Sequence, residues 1–243
     1  MVSAVAADSL GPQNVHAVLM PSEYTRACST RDAEELVRRQ GIRSRSIPID
    51  NLVAAFQEYL RLESVAAENI QVRIRGTILM ALSNSCGHFV LTTGNKSELC
   101  IGNSTLYGDS TGGFDPIKDL SKSMVWALCR WRNRRARQVG ETAPIPDSII
   151  EKAPSAELRP NQFDSDSLPD YALLDELLAD YVERNLGREE LVASGYDKDL
   201  VTDILRRVDA AEYKRRLYPV GPKVTRKSLG RDRVMPLTNL WRE

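Results

Sequence analysis

Histidine and cysteine are scarce in this sequence, and their spacing removes two classes of chemistry. The chain of 243 residues has two histidines, His16 and His88, and four cysteines, Cys28, Cys86, Cys100 and Cys129. No two cysteines form a C-x-x-C pair, and neither histidine lies near a cysteine pair, so a zinc site is not expected. Nothing at the amino terminus reads as a secretory signal, and free thiols in a reducing cytoplasm are the simplest expectation. No apolar run approaches the ~20 residues that a membrane helix needs. Net charge is missing as well: Lys plus Arg equals Asp plus Glu, 33 against 33. A balanced chain gives no reason to expect DNA or another nucleic acid as its main partner. A local basic site for a small phosphorylated ligand stays open.

What is there fits a globular protein. Apolar residues make up 42% and charged residues 27%, enough for one large domain or two small ones. Met1 to Leu10 reads as a helix, stopped by Gly11-Pro12. Val15 to Met20 is a short apolar run suited to a buried parallel strand. Ser29 to Asp32 offers caps for a helix running to about Gln40 and ended by Gly41. Arg45 to Ile49 reads as a second strand. Helices are expected over Leu52–Leu60 and Ser64–Leu82, and a third strand over His88–Thr93. Further helices are expected over Ser123–Arg137, Leu173–Glu183 and Leu200–Leu217. Between the first and second of these lies a loop holding Pro144, Pro146, Pro154 and Pro160, too long and polar for a tight connection. Alternating strands and helices predict an α/β doubly wound parallel sheet. The pattern opens on a helix with no strand before it. Doubly wound domains normally open strand, turn, helix, and the first turn usually carries the phosphate site.

Three clusters carry possible chemistry. Thr92 to Glu98 (TTGNKSE) follows the third predicted strand, at the edge where open α/β sheets bind ligands. Its hydroxyls suit phosphate oxygens, and Glu98 is a hard oxygen ligand suited to Mg²⁺. Alone, the segment reads first as a capped turn with a surface Glu. Leu106 to Lys122 combines glycines that allow close backbone approach with Asp109 and with Lys122, a point charge for phosphate. Alone, it is a glycine-rich turn with solvated charges. On the long helix, Asn69 and Arg73 share a face and Arg75 points elsewhere; alone, these are ordinary surface residues. The same helix has apolar residues at Ile70, Val72, Ile74, Ile78, Leu79 and Leu82. These make more than one stripe, which predicts packing on the sheet and against a twin helix in a symmetric dimer.

Together these segments resemble the synthetase domain of the NAD synthetase family, within the N-type ATP pyrophosphatases. The resemblance runs through NIQVRIR (69–75), LSN (82–84), LTTGNKSE (91–98), STLYGD (104–109), PIKD (116–119), KAPSAEL (152–158), SLP (167–169), EYKRR (212–216) and GRDRVMPLTNLW (230–241). TGNKSE and EYKRR resemble the glutamine-dependent members more than the short ammonia-only ones. The resemblance implies an adenine nucleotide alpha hydrolase-like sheet, in a cytoplasmic enzyme forming a homodimer or a higher homo-oligomer. It implies that ATP adenylates the nicotinate carboxylate of deamido-NAD, and that ammonia, supplied directly or from glutamine, then displaces AMP to give NAD. Carried over by position, Glu98 would bind Mg²⁺ and Thr93 would contact ATP. Arg75 and Lys122 would reach the ATP phosphates, and Ser155 would close over the nucleotide. Asn69, Arg73 and Asp109 would contact deamido-NAD, with Lys214 a further candidate. Lys122 and Asp109 would be the catalytic pair.

Two departures from the family pattern accompany this. The S-G-G-x-D-S phosphate loop is absent, and Ser3 to Leu10 resembles the later part of the helix that follows it. The nitrilase-type glutaminase domain of glutamine-dependent members is absent too. The expectation is a synthetase domain over residues 1–243, recorded without its front end and its first strand. A non-catalytic nucleotide-binding or dimerisation subunit is the competing reading. A different amidating ATP pyrophosphatase is opposed by LYGD and GRDR.

Overall fold

The computed structural model describes residues 1–238; the end of the GRDRVMPLTNLW run, residues 239–241, lies outside the described residues. The element order is α1 (Val2–Leu10), β1 (His16–Leu19), α2 (Ala27–Gln40), β2 (Arg43–Ser46), α3 (Asp50–Leu60), α4 (Ser64–Cys86), α5 (Lys96–Ile101), α6 (Lys122–Gln138), α7 (Asp147–Glu151), α8 (Tyr171–Val182), α9 (Arg188–Ala193), α10 (Lys198–Ala210) and α11 (Glu212–Arg215). No described helix is long and apolar enough to cross a membrane. The chain divides into two compact units. The first is Met1–Phe89 with Val125–Ser167, and the second is Val90–Met124 with the chain from Leu168 onward.

In the first unit β1 and β2 pair in parallel, with His16 opposite Arg43 and Leu19 opposite Ser46, joined through α2. This is the βαβ arrangement that a parallel pair requires, since no tight turn can join parallel strands. Gly41 ends α2 in the left-handed conformation expected of it. The helix starts earlier than its sequence suggests, because Arg26, not a hydroxyl side chain, takes the cap position. The second strand also lies earlier than expected, at Arg43–Ser46, because its register follows β1 through Arg43 N–H to Val15 O and Ile47 N–H to Leu19 O. The core of this unit gathers Ala4, Cys129, Ile145 and Ile150, packed by Met1, Leu36, Val125, Trp126 and Ile149. Buried Asn133 fixes the proline-bounded segment to it. Its Nδ2 donates to Ile145 O at 2.7 Å, and its Oδ1 accepts from Ile145 N at 3.2 Å. On α4, Val72 and Ile74 are buried, and Ile70, Ile78, Leu79 and Leu82 are half-buried.

The second unit corrects one expectation. His88–Thr93 does not form a strand. Only Leu91 bridges, in parallel, to Phe114, which bridges in turn to Val220. Val90 O accepts from Gly113 N and Thr92 N donates to Phe114 O, both at 2.9 Å, so a single bridge uses the segment's pairing and no ladder extends. The sheet of the fold is therefore parallel, as predicted, but its regular strands among the described residues are β1 and β2. In the same unit, α8 and α10 bury Leu174, Leu177, Leu178 and Val182, and Val201, Ile204, Leu205 and Val208. These sit at helical i, i+3, i+4 spacing, the pattern of one apolar face.

The helix expected over Leu200–Leu217 is broken at Ala211 into α10 and α11. The break turns Arg215 inward. Its guanidinium donates to the carbonyls of Cys100 at 2.7 Å and Val208 at 2.6 Å, and pairs with Glu212 at 3.0 Å. Both side chains are almost fully buried, so pairing is obligatory once they are desolvated. Removing Arg215 would leave the carbonyls of Cys100 and Val208 without this donor and the buried Glu212 carboxylate with Arg216 as its remaining cation, 2.7 Å from Oε1. Arg215→Ala is expected to cost about 3–5 kcal/mol of stability. Urea unfolding with an unchanged slope is the measurement, and a loss below about 1 kcal/mol would contradict this assignment.

Candidate active site

The T-T-G-N-K-S-E segment turns directly from the Leu91 bridge into α5. Thr92 is structural: it is buried, and its hydroxyl joins its own N–H on Phe114 O. Thr93, the next residue, is exposed. Asn95 and Glu98 then form a reciprocal cap. Asn95 Oδ1 accepts from Glu98 N at 3.1 Å, and Glu98 Oε2 accepts from Asn95 N at 3.2 Å. This satisfies two amides that a helix start otherwise leaves open. It also locks the Glu98 rotamer and leaves Oε1 facing Lys122, whose Nζ lies 3.0 Å away. Both side chains stay about one-fifth exposed, at 22% and 19%, so a ligand can reach them. Lys122 Nζ also lies 5.3 Å from the centre of the Tyr171 ring, whose electron-rich face favours a cation.

Asp109 stands in the neighbouring glycine-rich loop, where its Oδ1 accepts from Thr105 N at 2.8 Å. Withdrawal from water raises its carboxyl above the usual range, the Thr105 N–H opposes that, and the charge on Glu98 adds to it. The residue keeps an exposed flank, which lets solvent soften the effect. Lys214 donates to the carbonyls of Gly102 and Ser104, both at 2.7 Å, so it braces the loop that leads to Asp109. The second unit thus brings Glu98, Asp109, Lys122 and Lys214 within electrostatic reach of one another, with Thr93 on the turn that leads into α5.

Asn69, Arg73, Arg75 and Ser155 belong to the first unit. Arg73 is exposed and Asn69 half-buried, while Arg75 turns inward and its Nε donates to Met20 O at 3.0 Å. Burial lowers the Arg75 guanidinium from its ordinary value, and Asp50 and Glu157 hold it up. The separate directions of Arg73 and Arg75 follow from their two-residue spacing, as expected. Ser155 is engaged both by its own loop and by the start of α2: its Oγ donates to Glu157 Oε1 at 3.2 Å and accepts from Arg26 Nη2 at 2.7 Å. Glu157 is the anchor of that loop. It takes Arg26 Nε at 2.8 Å and Ser29 Oγ at 2.7 Å, and adopts a positive φ of 53°.

Several residues of this neighbourhood were not legible beforehand. Lys96 and Ser97 lie within TGNKSE and Asp119 ends PIKD, motifs that assign them no role of their own, while Tyr171 and Asp175 carry no local signature. Asp115 is the clearest case. It is fully buried, Oδ1 accepts weakly from Ile117 N at 3.3 Å, and Oδ2 has no partner.

A parallel βαβ pair in one unit, and in the other an acid–lysine pair at the starts of two helices, the first of which follows a bridging segment, are features of the class of α/β domains. The chain belongs to the NAD synthase family, whose model matches residues 1–218. It is 43% identical over 245 residues to the glutamine-dependent NAD(+) synthetase of Acinetobacter baylyi, covering 98% of this chain and 44% of that protein. The solved glutamine-dependent NAD+ synthetase of Acinetobacter baumannii, in complex with ADP, is 39% identical with a TM-score of 0.59, covering 99% of this chain and 44% of that one. The NH3-dependent NAD synthetase of Campylobacter jejuni, in complex with nitrate, is 26% identical with a TM-score of 0.69, covering 88% and 80%. The chain thus spans about half the length of the glutamine-dependent relatives it matches.

Asp115 generates a pH prediction. Burial, its largest perturbation, pushes the carboxyl up from 3.8 to about 7. The folded state therefore holds this proton when the unfolded chain has lost it, and stability falls as pH rises from about 4 to about 7. Asp115→Asn keeps the acceptor for Ile117 N and removes the titration. It is expected to flatten that fall and to raise stability at pH 8 by roughly 2–4 kcal/mol. Chemical denaturation at pH 4.5 and pH 8 checks it; a variant as pH-sensitive as the parent would contradict it.

Proposed function

We propose that this chain carries the amide-forming chemistry of a NAD synthetase: ATP-dependent conversion of deamido-NAD to NAD through an adenylated carboxylate. The observation that carries this reading is the Lys122–Glu98 pair at 3.0 Å on the T-G-N-K-S-E turn of a chain matched to that family. A carboxylate is a poor electrophile, and making it an acyl adenylate gives it a good leaving group, AMP. The residues must hold two anionic substrates in line and balance the charge that moves onto pyrophosphate.

Glu98 fits the part of Mg²⁺ ligand. Mg²⁺ is commonly held by one or two carboxylates together with substrate phosphates, and Glu98 retains free lone pairs after capping Asn95. When bound, Mg²⁺ would supply charge neutralisation on the triphosphate. Lys122 offers a positive charge to the same phosphates, and Thr93 an exposed hydroxyl to ATP. Arg75 and Ser155 are proposed for ATP, and Asn69, Arg73, Asp109 and Lys214 for deamido-NAD. A raised Asp109 carboxyl suits a proton acceptor for the incoming ammonia, which must shed a proton as the amide forms. Ammonia comes free or from glutamine.

Glu98→Gln is expected to slow single-turnover adenylation by about 100-fold and to weaken its Mg²⁺ dependence, leaving deamido-NAD affinity within about twofold. Rapid-quench measurement of pyrophosphate release checks this, and an unchanged rate with unchanged Mg²⁺ dependence sinks the metal assignment. The half-buried residues of α4 support a homodimer as the assembly. Light scattering at micromolar concentration should give at least twice the monomer mass, and a monomer counts against it.

A further inference from the structure

Lys122 is the first residue of α6, and its position depends on side chains from outside that helix. Its N–H donates to Ser97 Oγ at 2.9 Å. The next amide, Ser123 N–H, donates to Asp175 Oδ2 at 2.8 Å. The Ser97 hydroxyl in turn donates to Asp175 Oδ1. One carboxylate on α8 thus closes a ring of three hydrogen bonds around the start of α6, taking one amide directly and orienting the hydroxyl that takes the other. These are orphan donors of a helix terminus, usually served by the residue just before the helix. Here Ser121 Oγ reaches only Met124 N, at 3.3 Å, so the first two amides depend on Ser97 and Asp175. One turn earlier on α8, the Tyr171 ring lies 5.3 Å from Lys122 Nζ. The helix therefore meets the Lys122 ammonium directly through Tyr171, and the Lys122 backbone indirectly, through Asp175 acting on Ser97 and on the Ser123 amide.

We infer that Asp175 is a positioning residue for Lys122 in the adenylation step, acting through the α6 amides and Ser97 without touching substrate. This rests on the reading of Lys122 as a phosphate-binding residue given above. Without Asp175 the Ser97 hydroxyl loses its acceptor and becomes free to rotate, and the Ser123 amide loses its partner. Lys122 then reaches Glu98 and the triphosphate from a looser backbone. A displacement of about 1 Å in a charge-balancing group is enough to cost on the order of 100-fold in rate.

The test is a double-mutant cycle read by single-turnover adenylation in the full-length protein. Lys122→Met is expected to lower the rate by about 100-fold. Asp175→Ala is expected to lower it by about 10- to 100-fold, leaving the KM for deamido-NAD within about twofold. In the Lys122→Met background, adding Asp175→Ala should change the rate by less than about twofold, because the residue acts only through the lysine. Asp175→Asn keeps one acceptor oxygen and loses the second. It should fall between parent and Asp175→Ala, and it replaces that variant in the cycle if Asp175→Ala fails to melt cooperatively. An equal loss in both backgrounds overturns the inference, since it marks a general structural role. So does a parental rate in the Asp175 variants. A parental rate in Lys122→Met overturns instead the assignment of Lys122, which separates the two failures.

Discussion

One buried ammonium holds the second unit's loops together. Lys96 is about 8% exposed, and its Nζ lies 2.8 Å from Glu183, 3.2 Å from Asp119, 2.6 Å from Thr225 Oγ1 and 2.8 Å from Lys227 O. A charge withdrawn from water to this degree is tolerable only with partners on every side. Those partners come from the loop before α6, the end of α8 and the segment that follows α11. Asp119 also accepts from the Val224 and Thr225 amides at 2.8 and 2.7 Å, so the carboxylate is as fully engaged as the lysine. The consequence is positional. Lys96 begins α5 two residues before Glu98, and Asp119 stands three residues before Lys122. Fixing the first pair fixes the separation of the second.

This explains why the turn was legible in sequence while its supports were not. Asn95 and Glu98 follow a local rule, a cap and its reciprocal acid three residues on, and local rules can be read from neighbours in the chain. Gly41 after α2 is another such case. Lys96, Asp119, Asp175 and Arg215 obey no local rule. Each is a charged residue that ordinary expectation places at the surface, and each is drawn inward by partners distant in sequence. The same reason accounts for the missed break at Ala211. The apolar period of 200–217 continues through it, but the acceptors that capture Arg215 lie on residues 99, 100 and 208. The third strand failed for a related cause. The apolar run at 88–93 has strand character, yet a strand exists only with a partner along its length, and Phe114 supplies one bridge.

The family resemblance reached further than the local rules, because it rests on residues whose meaning is collective. Glu98, Asp109 and Lys122 taken singly are indistinguishable from solvated surface charges. The fold gives them a shared environment: burial raises the Asp109 carboxyl, the Glu98 charge adds to it, and the same Glu98 pairs with Lys122. The first unit adds a contrast. Ser155, expected to meet a nucleotide, spends its hydroxyl on Arg26 and Glu157. With one bond accepted and one donated, that hydroxyl keeps a single lone pair for any further donor.

The Glu98–Lys122 pair has a consequence for binding that follows from charge balance alone. In the free site each group neutralises the other at 3.0 Å, so neither stands as an unpaired charge in partly desolvated surroundings. On the roles proposed above, a metal–triphosphate complex would present one cation and several anionic oxygens together, so that Glu98 would face the cation and Lys122 the oxygens with the count of opposite-charge contacts preserved. A nucleotide without its metal would leave Glu98 facing like charge, and a metal without nucleotide would leave Lys122 uncompensated beside a cation, so the pair would favour the two together over either alone. The capping bond from Asn95 N to Glu98 Oε2 holds the carboxylate in place for either partner.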